Sequence, residues 1–271
     1  MKHFGWSVWV LVAWVALSVF GQIISIDSTG IEVKHILNGP SWQSWFGYDD
    51  LGRSVFNRLL SGSYTSCVVS LTVITISVSV GTIIGTISGY LGGFVDTVIV
   101  RIIDIFLAFP GILLAIALAG IMGSGVDNVV IALSIVGWVG FARLARAQTL
   151  SIKHREHVLA AEAMGTRRRM IIVRHLIPLI STPIMVEATF GVASVIIAEA
   201  GLSFLGLGVQ APDASWGSMI RDGTRYMLIA PHLVLIPGVV LMSVVLSVNL
   251  AGDRLRDWMD VKTRFDGNKA N

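Results

Sequence analysis

Charge is what this chain has least of. Only 14% of its 271 residues are Asp, Glu, Lys or Arg, where a soluble domain carries roughly 25%. Apolar residues make up 54%, and the mean hydropathy is +0.76. That balance excludes a disordered chain and is a poor fit to a water-soluble enzyme of this size. Cysteine is nearly absent. Cys67 stands alone, so neither an internal disulfide nor a zinc cluster built on thiolates can form. The 28 glycines and 7 prolines follow no period, which excludes a fibrous repeat. The chain has no Gly-Lys-Ser/Thr to cradle a nucleotide, no His-Glu-x-x-His and no Gly-x-Ser-x-Gly. What remains is an all-α polytopic membrane protein, in which each span needs about 20 mostly apolar residues.

Six apolar runs are read as spans: Phe4 to Ile24, Ser66 to Tyr90, Ile105 to Met122, Val129 to Leu144, Leu176 to Phe204 and Leu233 to Gly252. The first is long, carries Trp6, Trp9 and Trp14, and lacks a small-x-small cleavage site, so it reads as an uncleaved span. Pro110 predicts a kink in the third run and Pro237 interrupts the sixth. Asp127 is placed to cap the fourth. Residues 25–64 read as a polar surface loop with amphipathic pieces, 145–175 as a basic loop, and 205–231 as a loop with glycine and proline. This organises the chain as a first span with its loop (1–64), a five-span core (65–262) containing the 151–178 segment, and a charged tail (263–271).

An even number of spans puts both termini on one side. Fifteen of the 20 Lys and Arg fall on that side, against Lys34, Arg53, Arg58, Arg221 and Arg225 on the other. Basic loops stay in the cytoplasm, so the termini and the 145–175 loop are expected there. The same bias explains Arg167-Arg168-Arg169 without nucleic acid. His154 and His157 are three apart, but among so many cations they read as solvated side chains and not as metal ligands.

Acids inside a span are costly and therefore conspicuous. Glu187 and Glu199 share the fifth run, 12 residues and hence about 18 Å apart along a helix, so they cannot form one two-carboxylate site. Glu199 is expected near the outer end, close to water, and Glu187 deeper, facing the bundle or a wet cavity. Each is a candidate either for a translocation path or for structural hydrogen bonding. Gly81, Gly85 and Gly89 recur every fourth residue, a stripe that lets two membrane helices approach closely.

The 151–178 segment carries the most information. Ser151 to Met164 is expected to form a short helix with Ile152, Leu159, Ala160 and Ala163 toward one side. Gly165 ends it in left-handed geometry, and a second helix follows Thr166 and meets the next span at Pro178. Such a knob suits a groove on a partner, and it serves equally as a connector.

This segment resembles the cytoplasmic signature loop of binding-protein-dependent ABC importer permeases, Glu-Ala-Ala, three residues, Gly, nine residues, Ile-x-Leu-Pro. Here the frame reads Leu159-Ala160-Ala161, Gly165 and His175-Leu176-Ile177-Pro178, with Glu162 out of frame. Further stretches resemble the peptide and nickel branch, C-type subunit: Gly47-Tyr48-Asp49-Asp50-Leu51-Gly52-Arg53, Gly89-Tyr90-x-Gly92-Gly93-x-x-Asp96, Arg101-x-x-Asp104, the run Glu199 to Gly208, Pro212, Trp216-Gly217, and Asn249 to Asp260, with Val261 where that branch has proline. The resemblance covers about residues 40 to 262.

It implies a type I importer permease that forms half of a pore beside a homologous second permease subunit. Two cytoplasmic ABC ATPases bind below, and an extracytoplasmic solute-binding protein delivers the cargo. Residues 151–165 become the ATPase-coupling helix. The permease itself holds no cofactor and breaks no bond. Peptides are the implied solute, with nickel or a metal–chelator complex as the alternative. A self-sufficient secondary transporter, which would want inverted repeats, and an intramembrane enzyme, which would want paired catalytic groups, are the competing classes.

Overall fold

A computed structural model describes residues 5–23, 28–42 and 44–259, and ten α-helices lie among them. They are α1 (Trp6–Ile23), α2 (Val55–Leu91), α3 (Gly93–Leu107), α4 (Gly111–Met122), α5 (Val126–Ile152), α6 (Glu156–Ala163), α7 (Arg168–Ile171), α8 (Ile177–Phe204), α9 (Trp216–Thr224) and α10 (His232–Met259). A π-helical turn at Ile172–Leu176 joins α7 to α8. Pro178 has no N–H to offer the carbonyl four residues back, and the wider turn sits directly before it.

Among the described residues four stretches are long and apolar enough to cross a membrane: Val55–Leu91, Val126–Ile152, Arg168–Phe204 and His232–Met259. α3 and α4 pass the same test together but meet at 83°. α1 has 18 residues, about 27 Å at 1.5 Å per residue. The expected runs therefore appear as four long helical stretches, one of them containing the π-helical turn, together with one broken pair and one shorter helix. Lys2, Val261, the 263–271 tail, and the ends of the first run at Phe4 and Ile24 lie outside the described residues.

Several boundaries differ from the sequence reading. Pro110 does more than kink a helix. It biases Phe109 away from helical geometry, and the chain breaks between Leu107 and Gly111. The side chain that closes the turn before α5 is Asn128, which donates to the carbonyls of Met122 and Gly123 at 3.0 Å each. Asp127 instead lies in the first helical turn. α2 begins at Val55, inside the expected loop, because Val55, Leu59 and Leu60 have buried surfaces to cover. Likewise the 205–231 loop contains α9, which Ser215 and Ser218 cap reciprocally.

The chain divides into two compact units. Of the described residues, those within 1–72, 116–132 and 192–251 form one, and those within 73–115, 133–191 and 252–271 the other. The first is built around Trp14, Leu59, Ile196, Trp216, Leu233 and Val248. Trp216 is fully buried; its ring centroid lies 6.2 Å from that of Trp14, and its indole N–H donates to the Leu59 carbonyl at 3.2 Å. In the second unit, Ile103, Val139 and Ala142 pack with Phe106 and Trp138, whose rings meet edge to face at 5.7 Å.

Candidate functional site: the 151–178 segment and its anchors

α5 does not stop where the apolar run stops. It continues as helix through Ile152, turns at 153–155, and only then does α6 begin at Glu156. The single helix expected from Ser151 to Met164 is thus two helices separated by a turn. Glu156 in the first turn of α6 complements the helix dipole. At the other end Gly165 adopts φ +77°, where a side chain would be strained. Its N–H bonds the Glu162 carbonyl at 2.9 Å, and the Thr166 N–H bonds that of Ala161 at 3.0 Å. This is a Schellman closure. It fixes the angle at which the chain leaves α6 toward α7.

The faces of α6 differ from the sequence expectation. Val158 and Ala161, three apart, are buried at 0% and 2% exposure. Leu159, Ala160, Glu162, Ala163 and Met164 are exposed. Ile152 is buried and belongs to α5, so it shares no face with Leu159 and Ala160. Helical periodicity separates Ala161 from Ala160 by about 100°, and only Ala160 is open to a partner.

Polar ties hold this segment within its unit. The Tyr90 hydroxyl donates to Glu162 Oε1 at 2.7 Å, and Lys153 Nζ donates to the Gly89 carbonyl at 3.0 Å. Arg146 grips Asp96 with two bonds, Nε to Oδ1 at 2.6 Å and Nη2 to Oδ2 at 2.7 Å, and Ser88 donates to the same carboxylate at 2.6 Å. The glycine stripe faces α5. A side chain at Gly81 would stand 2.5 Å from the Trp138 carbonyl, one at Gly85 would collide with the Ala142 carbonyl, and one at Gly89 would stand 2.9 Å from the Arg146 carbonyl. Close approach of the two backbones is why these positions carry no side chain.

The two intramembrane acids occupy different surroundings. Glu187 is exposed and lines a cavity of about 480 Å³ with Thr182, Pro183, Phe190 and Arg256. Glu199 is 2% exposed, which overturns the expectation that it stands close to water. Ser66 donates to its Oε2 at 3.0 Å and Ser203 to its Oε1 at 2.8 Å. Ser66 lies 133 positions away, so no local pattern announces the pairing.

The Gly47–Arg53 motif forms a tight loop on Asp49. Its carboxylate accepts the Leu51 N–H at 2.9 Å, the Arg53 N–H at 2.8 Å and the Arg53 guanidinium at 2.7 Å. Beside it, burial and then the Asp49 charge raise the Asp50 carboxyl above the usual carboxylate range. Arg101 and Asp104 stand 4.0 Å apart and largely exposed, a weak pair. Among the described residues no cluster of three or more His, Cys, Asp or Glu is arranged to hold a metal.

Residues 81–265 match the family of binding-protein-dependent transport system inner membrane components. The chain belongs to this family. Over 256 residues it is 40% identical to the dipeptide transport system permease protein DppC of Alkalihalophilus pseudofirmus, covering 94% of this chain and 84% of that one. Over 233 residues it is 45% identical to the glutathione transport system permease protein GsiD of Shigella flexneri serotype 5b, covering 86% and 77%. The fold is also that of a solved chain of the MetNI methionine ABC transporter in an inward-facing conformation. That likeness has a TM-score of 0.60 at 18% identity and covers 74% of this chain and 95% of that one. This member of the permease family is therefore a multi-pass transport component. Asp96 was visible in the sequence as part of a motif but without a partner, because Arg146 lies 50 positions on.

Proposed function

We propose that the protein forms half of the translocation path of an ATP-driven importer of short peptides. A homologous second permease supplies the other half, two ATPases dock beneath it, and an extracytoplasmic binding protein hands over the peptide. The observation that carries this reading is α6, a short helix with an exposed apolar face of Leu159, Ala160, Ala163 and Met164 and a fixed exit angle at Gly165. Such a helix fits a groove and passes on a push. Pro178 then marks where that push enters the span. Peptide as cargo rests on the relatives that are named for dipeptide and glutathione transport. Glu187, exposed in its cavity, is the acid assigned to the pathway wall, whereas Glu199, saturated by serine hydroxyls, holds its own unit together.

A photoreactive residue at Ala160 tests the docking. The expected result is crosslinking to the ATPase subunit in membranes that contain the whole transporter, and none from position 161. Crosslinking to lipid alone would contradict it. For the cargo, unlabelled dipeptides should compete with labelled dipeptide uptake and nickel salts should not; the opposite order would assign the metal instead.

A further inference from the structure

The turn at 153–155 poses a mechanical problem. It is the covalent link from α5 to α6, it is not helical, and a push on α6 would be absorbed there if nothing else held the segment. The structure holds it twice, both times to the last turn of α2. Lys153, inside the turn, donates to the Gly89 carbonyl, and Tyr90 reaches Glu162 near the far end of α6. The last four carbonyls of a helix lack intrahelical partners and carry its negative pole, which makes Gly89 a natural seat for an ammonium group.

The end of α2 is in turn fixed to its neighbours through one carboxylate. Asp96 sits in the first turn of α3, beyond the Gly92-Gly93 junction, where both glycines have positive φ (+66° and +55°). Its Oδ1 accepts from the Ser88 hydroxyl of α2 and from Arg146 Nε of α5, and its Oδ2 accepts from Arg146 Nη2. Both members of the ion pair are partly exposed, at 20% and 30%, so water screens the attraction and its contribution to stability is small. What a fork-to-fork pair supplies in that setting is direction: two parallel bonds fix the angle between the helices that carry them.

We propose that Asp96, Arg146 and Lys153 are positioning residues that clamp the coupling segment to the cytoplasmic end of α2, so that displacement of α6 moves α2 and is not lost in the 153–155 turn. This rests on the importer reading above. It also gives the Gly89-Tyr90-x-Gly92-Gly93-x-x-Asp96 motif a physical role, with two positive-φ glycines at the junction of α2 and α3 and an acid that ties α3 back to Ser88.

The test uses the full transporter, reconstituted with its ATPases and binding protein. It reads three quantities: ATPase retained on the purified permease, ATP hydrolysed, and peptide taken up per ATP. In Asp96→Asn, Arg146→Lys and Lys153→Met, retention and hydrolysis should persist while uptake per ATP falls about fivefold or more, the lower end of ordinary coupling between sites. Lys153→Arg, which keeps a cation on the Gly89 carbonyl, should restore the ratio. An unchanged ratio in all three variants would overturn the clamp. So would uptake and hydrolysis falling in step with loss of the assembled complex, which is the mark of a purely structural role. Lys153 lies on a turn at partial exposure, so its variant reports even if Asp96→Asn fails to assemble. If the parent protein retains no ATPase at all, the importer reading itself has failed, and that result is distinct from both.

Discussion

A carboxylate sealed inside an apolar bundle is stable only when its oxygens are used. Glu199 uses both, on Ser66 and Ser203, and Ser203 also accepts the Val209 N–H at 3.3 Å. Glu199→Ala strands those hydroxyls and opens a void, so thermal stability in detergent should fall by the equivalent of about 1–3 kcal/mol. Glu199→Gln, which keeps the shape and an acceptor, should cost clearly less. Equal losses in the two variants would show that the hydrogen bonds are idle. At Asp50 the sign is opposite. Its carboxyl is raised by burial and by Asp49, so the fold favours the protonated form. That contribution is present at low pH and is lost as pH rises through the folded value. Asp50→Asn should therefore unfold at a higher temperature than the parent at about pH 7, and the difference should close near pH 3, where an aspartate is largely protonated in either state. A variant less stable at neutral pH would refute this. At this scale the sequence revealed which residues were unusual and concealed what they touched. Glu199 is conspicuous in an apolar run, but its serine partner comes from another helix.

Elements were legible where periodicity or composition speaks and illegible where tertiary contact decides. The four long helices follow from their apolar runs, and the fourth-residue glycine spacing on α2 requires a close neighbour, which is α5. Gly85→Leu should therefore block folding of that unit or lower its thermal stability by several degrees, since overpacking a tight contact commonly costs about 1–3 kcal/mol. Unchanged melting would mean that the two helices can part without penalty. The limits of α6 were not legible. α5 runs on to Ile152 and turns at 153–155, where Lys153 meets a carbonyl 64 residues away, a contact no local pattern announces. Which alanine faces outward followed from that shift. Ala160→Glu should leave the fold intact and release the ATPases, whereas Ala161→Glu, forced into a buried position, should destabilise the permease itself. Comparing ATPase retention with melting temperature separates the two effects, and the reverse assignment would contradict the placement of α6.

For the whole molecule, the uneven placement of Lys and Arg predicts the side on which α6 lies. In a variant lacking Cys67, a cysteine at Ser41 should react with a membrane-impermeant thiol reagent on intact cells, and one at Arg169 should react only after permeabilisation. The reverse pattern would invert the topology. The central claim is that this permease moves solute only because ATPases act on it. The direct measurement is uptake of a labelled dipeptide into proteoliposomes that contain the permease pair, with the ATPases and binding protein added or withheld and with ion gradients imposed or collapsed. Uptake should require ATP, the ATPases and the binding protein together, and should persist when proton and sodium gradients are abolished. Uptake driven by an ion gradient in the absence of the ATPases would contradict the account and make the protein a secondary transporter.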